Sequence, residues 1–532
     1  MAEPDPKTPK TTQQTVKTLQ EVHELHAKFD DEWVFLYAAY EGTRALVDRG
    51  YLQKHERETQ ANYDRRCADA YGFGFTQSII DILTFYLFKK TVKRELPSKV
   101  ENDELWDMYQ KDCNLYNDGI DEFFAEQSRL ASIMGFVGIL VDKAKIALDS
   151  RQEQLDNGVY PYLSSYFPNN ILDWDFDRDE YGRPRLSMVK LLEEDDKYLI
   201  WFLDHYEIWE LPETEEGVQI SDDMEAVLVD SQTHELEEIP FVFMVNKNWK
   251  KRPIGTSDVG DISRIDLSII RNLSQGEEII DYSAFPMMRK PNKEVRPDQS
   301  VEQTDDVGPT AILGFDPDNP DSKPDWLESE SKDPIEAIKD WILQKIEQIY
   351  RAANIGGMAA TEVQTQAKSG TALTAEFQLL NATLVRKAIN LEKAEQLITH
   401  FWYLWEYGIE TAKKYDKETV IERERSYDVE NLAEDLENAL TAKTLVMSKK
   451  FNEALQKKVV RKMLPSWTDT QLQEIDDEIE EGVEKEEDTT PEYPPLDENG
   501  NPIENNPAFG GKPAPGQPVQ QQLPGQQEDG EE

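Results

Sequence analysis

The sequence predicts a mainly helical α+β protein, on three observations. Apolar residues recur at helical spacing through most of the chain, switch to strict alternation between about 161 and 245, and fall away beyond about 485. A mixture of helical blocks and antiparallel hairpins in the first half is the α+β pattern. With 532 residues there is chain enough for several domains and a sizeable core.

Residues 1–15 are rich in Pro, Thr and Lys and are expected to form a disordered arm. From Val16 to Leu96 the apolar spacing is helical. Trp33, Phe35, Leu36, Tyr37 and Tyr40 make one amphipathic block, and Phe75, Ile79, Ile80, Leu83, Leu87 and Phe88 another. Lys89, Lys90, Lys93 and Arg94 suit a helix C-terminus, where the backbone carries partial negative charge, and Pro97 then stops the segment. A third helical block is expected from Asp103 to about Lys143. Near Pro161 the pattern changes. Ile171 to Asp177 alternates with period two, Asp179 to Gly182 supplies turn residues, and Leu186–Leu191 and Tyr198–Phe202 follow as strands of an antiparallel sheet ending near Val245.

Helical spacing resumes at Asp258. Ile262, Ile265, Ile269, Leu273 and Ile280 form a stripe that ends before Pro286, a helix of roughly 40 Å. Residues 286–333 lose periodicity, are rich in Pro and acidic residues, and hold a short strand at Thr310–Phe315. Asp333 and Pro334 open a second helix, as N-cap and first-turn residue, with a stripe of Ile335, Ile338, Ile342, Ile346 and Ile349. Gly356 and Gly357 end it, and a polar loop runs from Met358 to Lys368. A longer helix spans about Ser369 to Tyr407 and is stopped by Gly408. Its core face is Leu373, Phe377, Leu380, Leu384, Leu391, Ile398, Trp402 and Trp405, and Asn381 and Asn390 interrupt the helix. A further helical block covers about Val429 to Glu481, and the chain after about 485 is expected to be disordered.

The net charge is −48, of which −17 falls in residues 469–532, so the acidity is not confined to the tail. This excludes a basic domain that grips nucleic acid by neutralising phosphates. The N-terminus has no apolar core of a secretory signal, and no window is long and apolar enough for a membrane span. Cys67 and Cys113 are expected to be free thiols in a reducing cytosol.

The usual signatures of chemistry are missing. Gly72-Phe-Gly74 lacks the third glycine and the preceding strand of a dinucleotide fingerprint, and reads as a joint between helices. There is no Walker A sequence. Asp173, Asp175, Asp177 and Asp179 fit no EF-hand register and read as an exposed acidic strand edge. Of the six histidines only His23 and His26 are close in sequence, with no Cys nearby, so no metal site is expected. No catalytic residue, cofactor or enzymatic activity is expected.

Two amphipathic helices joined by a Pro-rich insert form a rod with a cap. One chain supplies only two rods, which suggests that neighbouring copies in a ring cover the stripes. At Ile239-Pro-Phe-Val-Phe243, Gly255-Thr-Ser-Asp-Val-Gly-Asp-Ile262, Leu273-Ser-Gln-Gly-Glu-Glu-Ile279, Ala284-Phe-Pro286, Ser369-Gly-Thr-Ala-Leu-Thr-Ala-Glu-Phe377 and Leu380-Asn-Ala-Thr-Leu384 the sequence resembles the portal, or head-to-tail connector, proteins of tailed double-stranded DNA bacteriophages. Tyr63-Asp-Arg-Arg66 and Leu87-Phe-Lys-Lys90 look similar too.

The resemblance implies a portal-type ring subunit, usually one of twelve, at one vertex of a virion capsid and assembled in the host cytoplasm. DNA passes through its channel during packaging and ejection. A disordered arm (1–15), a wing (16–257), stem helices (258–285 and 334–354) and a clip (286–333) are implied. So are a tunnel loop (355–370), a long kinked spine helix (371–408), a wing return (409–427), a crown (428–482) and an acidic tail (483–532). Implied partners are terminase, head-completion or adaptor proteins, the major capsid protein and scaffold, with no membrane. In the tunnel loop Gln364, Thr365, Gln366 and Lys368 are the candidates for DNA approach, Lys368 alternatively capping or solvating the next helix. In the clip Arg289, Lys290, Lys293 and Arg296 face either DNA or the carboxylates of a neighbouring subunit or adaptor. The acidity then suits a conduit, since every phosphate neutralised adds affinity and friction together. The competing readings are an acidic virion scaffolding or adaptor protein, or a non-portal enzyme acting as a small oligomer.

Overall fold

The computed structural model describes residues 14–353 and 370–427, except 57, 147–149, 194–196, 213–220, 248, 285–286, 292–311, 316–325, 328–331 and 426. Beyond 427 it describes only 457, 473 and 475–477. The chain divides into a unit of residues 1–428 and a unit of residues 429–532, and the elements named below belong to the first. It mixes helices and antiparallel sheets, as an α+β protein does.

The core gathers around helix Glu24–Glu41. Trp33, Leu36, Ala38 and Ala39 are buried there, and the helix packs against Phe75–Phe88, Ile120–Met134 and the first turns of Gly260–Ala284. Phe75–Phe88 buries Ile79, Ile80, Leu83 and Leu87, the stripe expected from their spacing. Gly74, at φ +64, makes the joint before it. The helix stops at Phe88. Lys93 and Arg94 do not serve its C-terminus as expected but lie in strand Lys93–Glu95, paired antiparallel with Val420–Glu422. Arg94 is instead held by Asp121 and Glu395, both at 2.5 Å.

The helical block expected over 103–143 is also corrected. Helices Glu104–Lys111 and Ile120–Met134 fill its first part, but Phe136–Asp142 is a strand. Gly135, at φ +101, turns the chain out of the helix. Phe136–Asp142 lies between Tyr162–Tyr166 and Phe241–Val245 in a three-stranded antiparallel sheet. Buried on both faces, it needs no polar alternation, so its sequence carries no period to read.

A five-stranded antiparallel meander follows in chain order: Ile171–Arg178, Pro184–Leu192, Tyr198–Phe202, His205–Glu210 and Val227–Thr233. Trp174, Val189, Trp201 and Tyr206 lie opposite one another across it and share one buried face. Asp179 closes the first turn, its Oδ1 accepting from the amides of Tyr181 and Arg183. Asp175 and Asp177 are exposed on the edge strand, as the alternation suggested. The N-terminal arm is ordered one step earlier than expected: Thr15 bridges to Glu225 and caps helix Val16–Gln20.

Candidate functional site at the base of the helix pair

Helices Gly260–Ala284 and Lys332–Ala352 pack together. Lys345 Nζ donates to Ser268 Oγ at 2.8 Å and also reaches Asn272 Oδ1. A Cβ added at Gly276 would lie 3.9 Å from Ile338. Contacts that fall as one number rises mean the helices are antiparallel. The same register continues past the helix ends, where Met287 pairs with Leu327 and Met288 with Trp326. There Met287–Pro291 is the centre of a three-stranded sheet, parallel to Ile312–Phe315 and antiparallel to Trp326–Leu327. Two helices and a small sheet thus follow one hairpin register among the described residues.

Burial falls along this hairpin. Ile262, Leu267, Ile269 and Ile270 are buried in the body, whereas Ile280 is 45% and Trp341 51% exposed. The outer turns of the first helix carry Glu277, Glu278 and Asp281. Asp333 lies inside the first turn of the second helix, not at its cap, because the helix begins one residue earlier at Lys332.

The base of the hairpin is fixed by buried charge. Lys387, on the long helix Gly370–Tyr407, is 1% exposed. Its Nζ donates to Ser132 Oγ at 2.5 Å, Asn246 Oδ1 at 2.7 Å and Asp258 Oδ2 at 2.5 Å. Lys247 approaches the other carboxylate oxygen of Asp258 at 2.8 Å. Burial opposes ionisation of Asp258, but Lys387 and Lys247 outweigh it and hold the carboxyl below its ordinary range. The Asp258 and Asn246 amides donate to Ser132 and Gly135 carbonyls. Gly255 and Gly135 pack backbone to backbone: a Cβ on Gly255 would stand 2.1 Å from the Gly135 carbonyl oxygen. The segment Gly255–Ile262 therefore welds the hairpin to helix Ile120–Met134, the three-stranded sheet and the long helix.

The long helix is continuous through Asn381 and Asn390. Asn390 Nδ2 donates to the Lys247 carbonyl at 2.7 Å, and Asn381 Oδ1 accepts from the Tyr427 amide at 3.1 Å. Leu380, Leu384, Leu391, Ile398 and Trp402 are buried core, and Trp405 donates to the Val141 carbonyl. Gly408, at φ +74, ends the helix as its position predicted. Further charges anchor its middle. Glu395 meets Arg94 and Arg423, each at 2.5 Å, and Glu392 meets Arg425 at 2.8 Å. His400 sits between Asp416 at 2.8 Å and Glu238 at 3.7 Å. Burial disfavours its charge, yet these two carboxylates push the imidazole up to about 9.

Of the residues proposed from sequence, Arg289 and Lys290 fall on the central strand of the distal sheet, opposite Leu313 and Gly314. Their placement is one of backbone alone. Lys293, Arg296, Gln364, Thr365, Gln366 and Lys368 lie outside the described residues, as does most of the crown 428–482 and all of the tail 483–532. His23 and His26 have structural roles: His23 Nδ1 caps helix Glu24–Glu41 and its ring stacks on Trp174, while His26 bonds the Asn169 carbonyl. Among the described residues no three His, Cys, Asp or Glu side chains are set to hold a metal ion, and no helix is long and apolar enough to cross a membrane.

No family model and no curated protein matches the chain. It is similar to chains in solved structures, two of which come from gene transfer agent particles. One is the virion of a native gene transfer agent particle, at 11% identity and a TM-score of 0.39, covering 78% of this chain and 98% of that one. The other is the neck of an empty gene transfer agent particle computed with C6 symmetry, at 10% identity and a TM-score of 0.40, covering 75% and 94%. Neither score is high enough to establish a shared fold.

Proposed function

We propose that this chain is the subunit of a portal ring: a structural, non-enzymatic conduit at one capsid vertex through which double-stranded DNA enters and leaves a virion. The observation that carries this is the antiparallel helix hairpin, welded to the body at its base and progressively uncovered toward its tip. Apolar positions such as Ile280 and Trp341 are exposed among the described residues, and identical neighbours around an axis would cover them in every copy. The resembling motifs Gly255–Ile262 and Leu273–Ile279 fall on the weld and on the hairpin. In this reading the hairpin helices are the stem, the distal sheet with Arg289 and Lys290 belongs to the clip, and Gly370–Tyr407 is the spine. The clip meets terminase during packaging and head-completion or adaptor proteins afterwards. The loop holding Gln364, Thr365, Gln366 and Lys368 narrows the channel. Capsid protein and scaffold surround a ring of about twelve copies. Exposed Asp281 adds negative charge to the outer stem, where phosphates do not bind tightly, while Glu277 and Glu278 turn to Tyr71 and Arg65 of the body.

Native mass spectrometry and negative-stain imaging of the purified full chain test this. The expected result is a closed ring of one subunit number with a hole near duplex width. A protein that stays monomeric at high concentration refutes it. Deleting 286–333 is expected to leave rings that no longer engage terminase or adaptor, and packaging that survives the deletion removes the clip assignment.

A further inference from the structure

Two apolar features of the body are exposed among the described residues. The first is a knob. Between helices Glu104–Lys111 and Ile120–Met134 the loop holds Tyr116 81% and Leu115 50% exposed. It is not a slack loop. Leu115 and Asn117 both adopt left-handed backbone, at φ +65 and +66, which side-chain-bearing residues keep only where the surroundings impose it. The imposing contacts are visible. The Cys113 amide donates to the Asp118 carbonyl, the Asn117 amide to Asp112 Oδ1, the Tyr116 amide to Asn114 Oδ1, and Asn114 Nδ2 to Asp118 Oδ2. Buried Cys113 then ties the loop to the three-stranded sheet through its carbonyl and the Leu163 amide.

The second is a groove of about 700 Å³ between helices Phe75–Phe88 and Ile120–Met134, lined by Tyr40, Phe85 and Phe88 and rimmed by Lys89 and Arg129. Phe85 is 62% exposed on it. The groove's carboxylate, Asp81, is engaged by the Tyr40 hydroxyl and Arg129, Arg129 is paired with Glu126 as well, and Lys89 makes no ion pair among the described residues. The knob is the opposite case: Asp112 and Asp118 flank Tyr116, and neither meets a cation among the described residues. The two cannot meet within one chain. Arg129 lies nine residues along the helix from Ile120, about 14 Å from the loop's attachment, and the loop is pinned at its base.

We propose that the Leu115–Tyr116 knob of one copy seats in the Phe85–Phe88 groove of the next copy, with Asp112 and Asp118 facing Lys89. An acid-flanked aromatic meets an aromatic groove whose rim carries Lys89 without an ion pair among the described residues, and every copy carries one of each. Such a head-to-tail contact propagates around an axis and closes only as a ring. It deepens the portal reading and rests on it for closure, but not for the contact itself.

The test uses full-length chains in which Cys67→Ser removes the half-buried thiol. Copies carrying Tyr116→Cys are co-expressed with copies carrying Phe85→Cys and oxidised. The expected result is a disulfide-linked heterodimer band from mixed assemblies and none from either variant alone. A Tyr116→Ser variant with unchanged circular dichroism is expected to shift the assembled fraction at least tenfold toward monomer. Intact assemblies without the mixed cross-link, or a cross-link between two Tyr116→Cys copies, overturn the proposal and leave the portal reading standing. A mixed cross-link in an open or small oligomer keeps the contact and refutes the ring.

Discussion

Replacing Lys387 by Met removes a buried cation while keeping most of its volume. The wild-type amine has three acceptors, and only Asp258 among them is charged. The Asp258 side chain is 3% exposed and cannot recover water. Breaking a buried ion pair from one side costs about 3–5 kcal/mol. Here Lys247 stays 2.8 Å from the same carboxylate, so the lower end, about 3 kcal/mol, is expected. Urea unfolding followed by tryptophan fluorescence, at fixed protein concentration because assembly adds to apparent stability, measures it. The control is Lys393→Met on the exposed side of the same helix, expected within about 0.5 kcal/mol of wild type. Adding Asp258→Asn should cost less than the sum of the single changes, with a coupling of about 1–3 kcal/mol. A Lys387→Met protein as stable as the control would refute the claim that buried charge fixes the hairpin's base.

Three further outcomes are expected. The raised pKa of His400 contributes stability that is fully present below its ordinary value near 6.5 and is lost as pH rises through about 9. The gap between wild type and His400→Gln should therefore shrink from on the order of 3 kcal/mol at about pH 6 to near zero at about pH 10 in pH-resolved unfolding. Glu58 behaves oppositely: its hydrogen bond to Arg66 holds it down at about 2, so its contribution is present above the ordinary carboxylate range and lost as pH falls toward that value. Acid titration of unfolding should lose this limb in Arg66→Met. Gly255→Ala should cost about 1–3 kcal/mol or more by overpacking against Gly135, whereas Gly276→Ala, whose Cβ would make an ordinary contact with Ile338, should gain about 0.5–1 kcal/mol, chiefly from helix propensity. Equal thermal shifts in the two would contradict the close approach.

What the sequence disclosed depended on whether local chemistry decided the structure. Gly408 ends the long helix and the Ile171–Asp177 alternation makes a strand because each is settled within a few residues. Phe136–Asp142 was hidden because a strand covered on both faces shows no alternation. Lys93 and Arg94 read as a helix end because their partners, Val420–Glu422 and Glu395, lie far away in the chain. The buried weld was missed for a related reason: a lysine in a helix reads as surface. One signal was there. Lys387 falls three residues after Leu384 and four before Leu391, on the apolar stripe itself, where a charge is costly unless it is paired. The tunnel-loop candidates carry no such signal, since a polar Gly-bounded segment specifies no contact.

The hairpin's unbroken register makes it a lever. Its first helix, 25 residues or about 37 Å, is held by the body as far as Glu277 and Glu278, which meet Tyr71 and Arg65, and the pairing of Met287 with Leu327 extends the same frame beyond it. A tilt of about 5° at the Asp258–Lys387 weld would displace the outer end of that helix by about 3 Å, a side chain's reach, and would have to be absorbed by the Tyr71–Glu277 and Arg65–Glu278 contacts on the way. Small adjustments among Ser132, Asn246 and Lys387 are thereby magnified at the tip. The stiffness of this one buried cluster sets how faithfully the two ends of the hairpin report on each other.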